Sequence, residues 1–358
     1  MRGTAAMRQF YLSVITGRRR GPLAALLRAI LWAGTAVYLV LHKGRRLLYA
    51  LGIRRSFRFP CPVVSVGNIT AGGTGKTPFV EYLARWFARK SFRTAILARG
   101  YGRIGEAADD EDLFCEMELE NVVRLTGRDR VATGRRALAD YRAQVLILDD
   151  GFQHYRVQRT LDIVTVDATN PFAGGMLLPR GLLREGPSAL KRADLVVLTR
   201  TDQAPPETLE ALRRRLGPAV ETVHKPVQVR CLSNRKSYGV EWLRGRSVYA
   251  FCGVGNPDSF RRTLESLGAS VVKFRAFDDH HAYTSADLRR LNAEAQEFMA
   301  EAAVTTEKDA SKLRPEAFEL PLAVLRVEIE VTRNEELLEE RLLEVVRDIP
   351  RATAPIRR

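Results

Sequence analysis

Residues 66–78 read Val-Gly-Asn-Ile-Thr-Ala-Gly-Gly-Thr-Gly-Lys-Thr-Pro, a stretch in which glycines, a lysine and a hydroxyl stand close enough to grip phosphate. A β-branched apolar run (Val63, Val64, Val66) precedes it, and the helix-like Phe79-Val80-Glu81-Tyr82-Leu83-Ala84 follows. Strand, Gly-rich loop and helix together aim consecutive backbone N–H groups inward and add the positive potential of a helix N-terminus. In that setting Lys76 reaches the β- and γ-phosphates of a nucleotide and the Thr77 hydroxyl holds Mg²⁺. Thr70, Ala71, Gly72, Gly73, Thr74, Gly75, Lys76 and Thr77 are therefore candidate nucleotide-binding residues. The usual pattern opens with Gly five residues before Gly75, and Thr70 stands there instead. The bland alternative is a Gly-rich turn that merely links strand to helix.

A phosphate loop needs a carboxylate partner for its metal. Val145-Leu146-Ile147-Leu148 runs into Asp149-Asp150-Gly151-Phe152-Gln153-His154, an apolar strand ending in acid. Asp149 or Asp150 can bind Mg²⁺ directly or through water, opposite Thr77. Two adjacent acids are costly unless a cation compensates them, which argues for metal nearby; a polar Asp-Gly turn is the rival reading. Asp278-Asp279-His280-His281 places two of the five histidines after two acids. A His–carboxylate pair there makes a proton acceptor tuned near neutral pH, with metal binding or a surface turn as alternatives. Three further stretches carry weaker signals. Ala98-Arg99-Gly100-Tyr101-Gly102-Arg103 suits a loop approaching sugar or phosphate, or a solvated surface loop. Arg128, Arg130, Arg135 and Arg136 could face an anionic ligand or line a solvated helix face. Thr199-Arg200-Thr201-Asp202 resembles a base-reading motif of GTPases in only four residues.

These residues need a scaffold, and the hydrophobic pattern supplies one. From about residue 57 to 230, apolar strands at 63–66, 94–97, 145–148, 161–166 and 195–198 alternate with helical stretches such as 131–141. Short apolar strands of this kind suit a parallel sheet covered on both faces, with ligands beyond its carboxyl ends. A second α/β segment carries strands at 247–251, 271–274 and 322–327 and helices at 257–267 and 285–302. The expected fold is thus α/β: a P-loop NTPase-like parallel-sheet domain over 56–230 and a smaller α/β domain over 231–350, with a tail at 351–358. Ahead of them, residues 1–55 form a basic segment and a membrane-associated helix. Residues 23–41 are apolar except for Arg28 and Thr35, and nineteen helical residues span ~28 Å, close to a bilayer core. Arg28, Thr35 and His42 recur by sevens and form one narrow polar line. Basic flanks around Trp32 and Tyr38 fit a helix lying in the interface or dipping into one leaflet, with a buried core helix as the rival reading.

The 358 residues, 46% hydrophobic and 28% charged, describe a folded chain, and the net charge of +15 calls for an anionic partner. Cys61, Cys115, Cys231 and Cys252 are dispersed without metal-like spacing, as thiols in a reducing compartment are.

Taken together, the basic amphipathic N-terminus, Gly-Asn-Ile-Thr-Ala-Gly-Gly-Thr-Gly-Lys-Thr-Pro, Ala-Arg-Gly-Tyr-Gly-Arg, Asp-Asp-Gly-Phe-Gln-His, Leu-Pro-Arg-Gly-Leu-Leu-Arg-Glu at 178–185, Asp-His-His and Thr-Thr-Glu-Lys-Asp at 305–309 resemble the tetraacyldisaccharide 4′-kinase family of lipid A biosynthesis. The resemblance covers nearly the whole chain, and that family's loop also lacks the first Gly. It implies ATP and Mg²⁺, a lipid disaccharide 1-phosphate acceptor, and phosphorylation of its 4′-hydroxyl at the cytoplasmic face of the inner membrane. It implies a catalytic Asp in a Gly-Asp-Glu-Pro motif paired with a His of the second domain. The matching stretch here is Asp109-Asp110-Glu111-Asp112, without the Gly and Pro, which places the base at Asp110 with His280 in support and His281 as the fallback. Lys76 completes the catalytic set, and Glu111 joins Thr77, Asp149 and Asp150 as metal candidates. Asn68, Tyr101, Gln153, His154, Arg184, Glu185 and His281 are expected to contact substrate or support the site. The expected partners are the lipid and the membrane surface, with no nucleic acid and a monomeric chain. Two rival classes remain: a P-loop ATPase or switch without an acceptor, and a basic nucleic-acid-binding NTPase, for which binding would weaken steeply with salt.

Overall fold

The computed structural model describes residues 2–100, 121–279 and 281–349. It divides into two compact units, Met1–Thr222 with Val331–Arg358, and Val223–Glu330.

In the first unit, α1 (Arg2–Ile15) and α2 (Pro22–Ala50) precede β1 (Val63–Gly67), α3 (Lys76–Arg89), β2 (Thr94–Ala98), β3 (Val122–Thr126), α4 (Arg130–Tyr141), β4 (Val145–Asp149), β5 (Leu161–Asp167), β6 (Leu195–Thr199), α5 (Pro206–Leu216) and the start of β7 (Val220–Cys231). The strands lie in the order β7-β6-β5-β1-β4-β2-β3, and neighbouring strands among the described residues of this unit pair in parallel. Parallel strands covered on both faces are largely apolar, and β1, β2 and β5 are buried at every position. Alternate residues serve opposite faces. Val63, Ala95, Leu97, Leu146 and Leu148 pack with Val131 and Ala137 of α4, while Val164, Val166 and Leu198 pack with Leu212 of α5. α3 buries Phe79, Val80, Leu83, Ala84 and Phe87, at helical spacing, and lies against β1, β2 and β4.

α2 is longer than the apolar run suggests, continuing for 29 residues. It is long and apolar enough to cross a membrane by length and composition. Leu23, Leu26, Ile30, Trp32, Val37, Val40 and Leu41 are exposed along it, whereas Ala24 and Thr35 are buried. The polar line contacts protein. Thr35 Oγ1 lies 3.4 Å from the Leu177 carbonyl and accepts from Arg180 N–H at 3.3 Å, and His42 Nε2 stands 3.3 Å from Glu185 Oε2. Close approach is needed here: a Cβ on Gly34 would meet Pro179 Cγ at 3.1 Å.

The second unit holds the rest of β7, with β8 (Lys236–Tyr238), β9 (Ser247–Cys252), α6 (Pro257–Ser266), β10 (Ser270–Ala276), α7 (Ser285–Glu297), β11 (Ala302–Thr306), α8 (Glu307–Ala310) and most of β12 (Leu322–Arg333). Its order is β10-β9-β11-β12-β7, with β8 antiparallel to β7. Val248, Ala250 and Cys252 face α6 through Phe260 and Leu264. Tyr249 and Phe251 face α7 through Leu291 and Ala295.

The chain then returns to the first unit in α9 (Glu335–Val346). There Asn334 Nδ2 donates to the Ala219 carbonyl at 2.7 Å, and Lys90 pairs with Glu339 at 3.3 Å. The division therefore differs from the expected domain of 231–350. Its boundaries fall inside β7 and β12, two twelve-residue strands, and β7 passes from buried at 220–222 to partly exposed at 223–228. Helix α7 also ends at Glu297 rather than 302, because Met299 takes φ +49° and the next strand begins at Ala302.

Candidate active site

The Gly-rich loop leaves β1 at Gly67 and enters α3 at Lys76. Gly75 caps the helix at φ +77°, and Gly72 takes φ +151°, conformations L side chains rarely adopt. Pro78 sits in the first turn, where a missing N–H leaves no helical bond unmade. The fully buried Asn68 braces the loop from within: its Nδ2 donates to Thr74 Oγ1 (3.1 Å), Gly72 O (3.3 Å) and Thr70 Oγ1 (3.4 Å). Beneath the loop, Thr74 Oγ1 lies 2.8 Å from Thr165 Oγ1, and Thr199 Oγ1 donates to the Thr74 carbonyl at 3.0 Å. Arg200, buried and paired with Asp167 at 2.6 Å, donates to the Gly73 carbonyl at 3.2 Å. The Thr-Arg-Thr-Asp stretch thus supports the Gly-rich loop. From the other side, Ala71 N–H donates to the Leu182 carbonyl at 2.6 Å, and Thr70 bridges to Leu183.

The parallel register sets Val66 beside Asp149, so the carboxyl end of β4 lies next to the loop. The two strand ends approach closely: a Cβ on Gly67 would fall 2.4 Å from Phe152 Cβ. Asp150 turns the chain at φ +60°. Its Oδ1 stands 3.5 Å from Lys76 Nζ, and both its oxygens accept from Arg184 Nη1, at 2.8 and 2.9 Å. Asp149 pairs with Arg124 at 3.1 Å, and its carbonyl accepts from Arg130 at 3.3 Å. The cation that two adjacent acids demand is supplied here by Arg124, Arg184 and Lys76. Burial pushes the Lys76 ammonium down from its ordinary value against the pull of Asp150. Burial alone would raise the Asp150 carboxyl; Lys76 and Arg184 outweigh it and hold the group below its ordinary value.

The segment after Asp150 and the 177–185 loop interlock. Gln153 Nε2 donates to the Asn68 carbonyl (2.9 Å) and to Glu185 Oε1 (3.0 Å), and Arg184 N–H donates to the Ile69 carbonyl (2.8 Å). Glu185, buried, also pairs with Arg192 at 2.8 Å. His154 is half-buried; burial first, then Arg130, Arg45, Arg159 and Arg156, pushes its imidazole down to about 4. It is neutral at physiological pH, able to donate or accept a hydrogen bond but not to carry charge.

Lys76, Asn68, the loop residues, Asp149, Asp150, Gln153, Arg184 and Glu185 are thus joined in the first unit, with Thr77 half-buried at the start of α3. Tyr101, Asp110, Glu111 and His280 lie outside the described residues. In the second unit, His281 Nε2 is 3.1 Å from Asp287 Oδ2 and its ring stacks on Phe277 at 4.6 Å. Asp287 closes the capping box of α7 with Thr284. Asp279 pairs with Lys308 at 2.6 Å, and the fully buried Asp309 accepts the Gly253 N–H at 2.8 Å.

Sequence reasoning missed Arg124, Thr165, Asp167 and Tyr38. β3, Val-Val-Arg-Leu-Thr, is not among the strands read from the sequence, although its β-branched residues were the available signal for placing Arg124; Thr165 and Asp167 sit inside an apolar strand, where their polarity was the available clue. Among the described residues no group of three or more His, Cys, Asp or Glu could hold a metal ion. The metal candidates read from the sequence at the loop, the Thr77 hydroxyl and the Asp149 and Asp150 carboxylates, all offer oxygen. That suits Mg²⁺, which keeps several waters and is completed by substrate phosphates.

The profile of the tetraacyldisaccharide-1-P 4′-kinase family matches residues 27–347. The chain belongs to that family. Among curated relatives, the tetraacyldisaccharide 4′-kinase of Syntrophus aciditrophicus is 41% identical over 359 residues, covering 92% of this chain and 95% of its own. That of Anaeromyxobacter dehalogenans (strain 2CP-C) is 41% identical over 348 residues, covering 90% and 92%. Among solved structures, LpxK from Aquifex aeolicus in complex with ATP is similar at TM-score 0.69 and 30% identity, covering 89% of this chain and 99% of that one. Family membership makes the chain a kinase, an enzyme that transfers phosphate to a hydroxyl group. Lys76 stands at the head of α3 with its ammonium 3.5 Å from Asp150.

Proposed function

We propose that the chain transfers the γ-phosphate of ATP to the 4′-hydroxyl of a tetraacylated glucosamine disaccharide 1-phosphate, a step of lipid A biosynthesis, at the cytoplasmic face of the inner membrane. The observation that carries the reading is the Lys76–Asp150–Arg184 cluster at the end of a Gly-rich loop, where the turn after β4 and the 177–185 loop meet it, in a chain of this kinase family. The exposed apolar length of α2 and the net charge of +15 support an anionic, acylated substrate met at a membrane surface.

The acceptor hydroxyl is neutral, and its proton must leave as it attacks the γ-phosphorus. Asp110, supported by His280, accepts it in this reading, with His281 as the alternative support. Backbone N–H groups of residues 72–77 cradle the phosphates, and Lys76 offsets charge on the transferring group. Thr77, Asp149, Asp150 and Glu111 are the residues that would hold Mg²⁺, which when bound neutralises charge on the β- and γ-phosphates. Gln153, His154, Arg184 and Glu185 contact substrate or support the site in this reading.

The test is transfer of label from γ-labelled ATP to the disaccharide 1-phosphate in detergent micelles, with wild type beside Lys76→Ala and Asp110→Asn. Labelled lipid from wild type alone supports both reaction and base. ATP consumption without labelled lipid overturns the acceptor assignment. Near-full transfer by Asp110→Asn keeps the kinase and removes Asp110 as base.

A further inference from the structure

Helix α2 is more than an apolar anchor, because one of its faces holds the residues that shape the phosphate site. Tyr38 Oη donates to the Arg184 carbonyl at 2.8 Å. Four residues on, His42 stacks beside Tyr38, with ring centroids 5.8 Å apart, and reaches Glu185. One turn before, Thr35 engages Leu177 and Arg180. α1 adds to the same loop: Tyr11 Oη donates to the Pro179 carbonyl at 2.6 Å, and Arg180 Nη1 donates to the Ile15 carbonyl at 3.0 Å. The loop so held carries Arg184, whose guanidinium grips Asp150, the carboxylate beside Lys76. The chain of contact from Tyr38 to Lys76 is therefore backbone carbonyl, guanidinium, carboxylate and ammonium, each step within 3.5 Å. The other faces of α2 present Ile30, Val37, Val40 and Leu41 to the surroundings.

We infer that Tyr38 and Thr35 are positioning residues that couple the seating of α2 in a lipid surface to the phosphate site, so that membrane-bound protein grips ATP more tightly. The physical cause is ordering. A helix whose apolar faces are embedded is fixed in rotation, and it fixes the 177–185 loop and Arg184 with it. A nucleotide binding to the already ordered site then loses less conformational freedom. Linkage requires the converse: ATP strengthens attachment to lipid by the same factor. The inference rests on the membrane association proposed above and on ATP as nucleotide, and it is independent of the acceptor.

The experiment measures the ATP Kd of the full-length chain without vesicles and with 3:1 phosphatidylethanolamine:phosphatidylglycerol vesicles, alongside cosedimentation with the same vesicles. For wild type the ratio of the two Kd values is expected to be several-fold, and cosedimentation is expected to tighten by the same factor when ATP is added. In Tyr38→Phe, which deletes one hydroxyl, and in the near-isosteric Thr35→Val, each measured against its own vesicle-free value, the ratio falls toward one. A merely structural role would raise both Kd readings alike and leave the ratio intact. A wild-type ratio of one with cosedimentation intact overturns the coupling alone. A ratio retained in both variants overturns the assigned residues. Absence of cosedimentation overturns the membrane association and the coupling with it.

Discussion

Arg184 Nη1 lies 2.8 and 2.9 Å from the two oxygens of Asp150, closer than Lys76, whose Nζ is 3.5 Å from the same carboxylate. The acidic turn is thus held by an arginine of the 177–185 loop, and the lysine is the looser partner, free to turn toward phosphate. Replacing Arg184 by Gln removes the stronger restraint and should cost about 1–3 kcal/mol at pH 7, as loss of a charged hydrogen bond does. Because the Asp150 carboxyl is held below its ordinary value in the folded protein, its contribution is present above the unfolded value and fades as pH falls through the folded one. The stability gap between wild type and Arg184→Gln should therefore narrow between pH 7 and pH 3, as read from urea midpoints. A gap of constant size would show that Arg184 acts through packing and not through Asp150.

Lys76 separates stability from activity. Its ammonium is held half-buried against desolvation, so Lys76→Met exchanges an unfavourably placed charge for an apolar chain of similar length. Arg184 remains to satisfy Asp150. Phosphate transfer should fall about 10²–10³-fold or more, as when a transition-state charge partner is removed. The thermal midpoint should stay level or rise by a few degrees, the pattern of a site built for function at the expense of stability. A large drop in midpoint would mean that the ion pair with Asp150 is structural.

Gly67 and Gly44 offer a matched pair of glycine substitutions. A Cβ at Gly67 would fall 2.4 Å from Phe152 Cβ and 2.6 Å from Phe152 N, atoms of the turn that carries Asp149 and Asp150. At Gly44, inside α2, nothing lies within 4 Å. Gly67→Ala should destabilise by about 1–3 kcal/mol, as overpacking does, and should depress ATP binding by displacing the acidic turn. Gly44→Ala should stabilise by about 0.5–1 kcal/mol through helix propensity alone. Calorimetry on the two variants checks both directions.

The parts of this molecule legible in its sequence are those whose signal is local. The Gly-Lys-Thr loop, the strand 145–148 ending in acid and the helices at 131–141 and 257–267 each announce themselves within a dozen residues, and they stand where the pattern places them. Contacts that depend on strands distant in sequence were not legible. Arg124 reaches Asp149 only because β3 pairs with β2 and β2 with β4. Arg200 reaches the Gly73 carbonyl only because β6 lies two strands from β1. The spacing by sevens of Thr35 and His42 was visible, but that this line faces the 177–185 loop is a tertiary fact. The unit boundary falls inside β7 and β12, two strands that run on from one unit to the next, and only the polar His224-Lys225-Pro226 lies near it in β7.

His154 gives the last test, and it concerns pH. Burial and the surrounding arginines push its imidazole down to about 4, far below the ordinary value near 6.5. The unfolded chain takes up a proton as pH falls through that ordinary value, while the folded chain does not until pH 4 is approached. Folding stability must then decline as pH drops from about 7 to about 4, by at most about 3 kcal/mol from this residue. His154→Gln keeps a hydrogen-bonding side chain and removes the titration, so its stability should vary less over that window. The same residue should leave no limb in the rate profile above pH 5, because it is neutral throughout. Urea unfolding of both proteins at pH 7, 5.5 and 4.5, with NMR titration of the His154 ring, checks the claim. A ring that titrates near 6.5 would show that the arginine cluster is screened, and would restore His154 as a group able to carry charge during transfer.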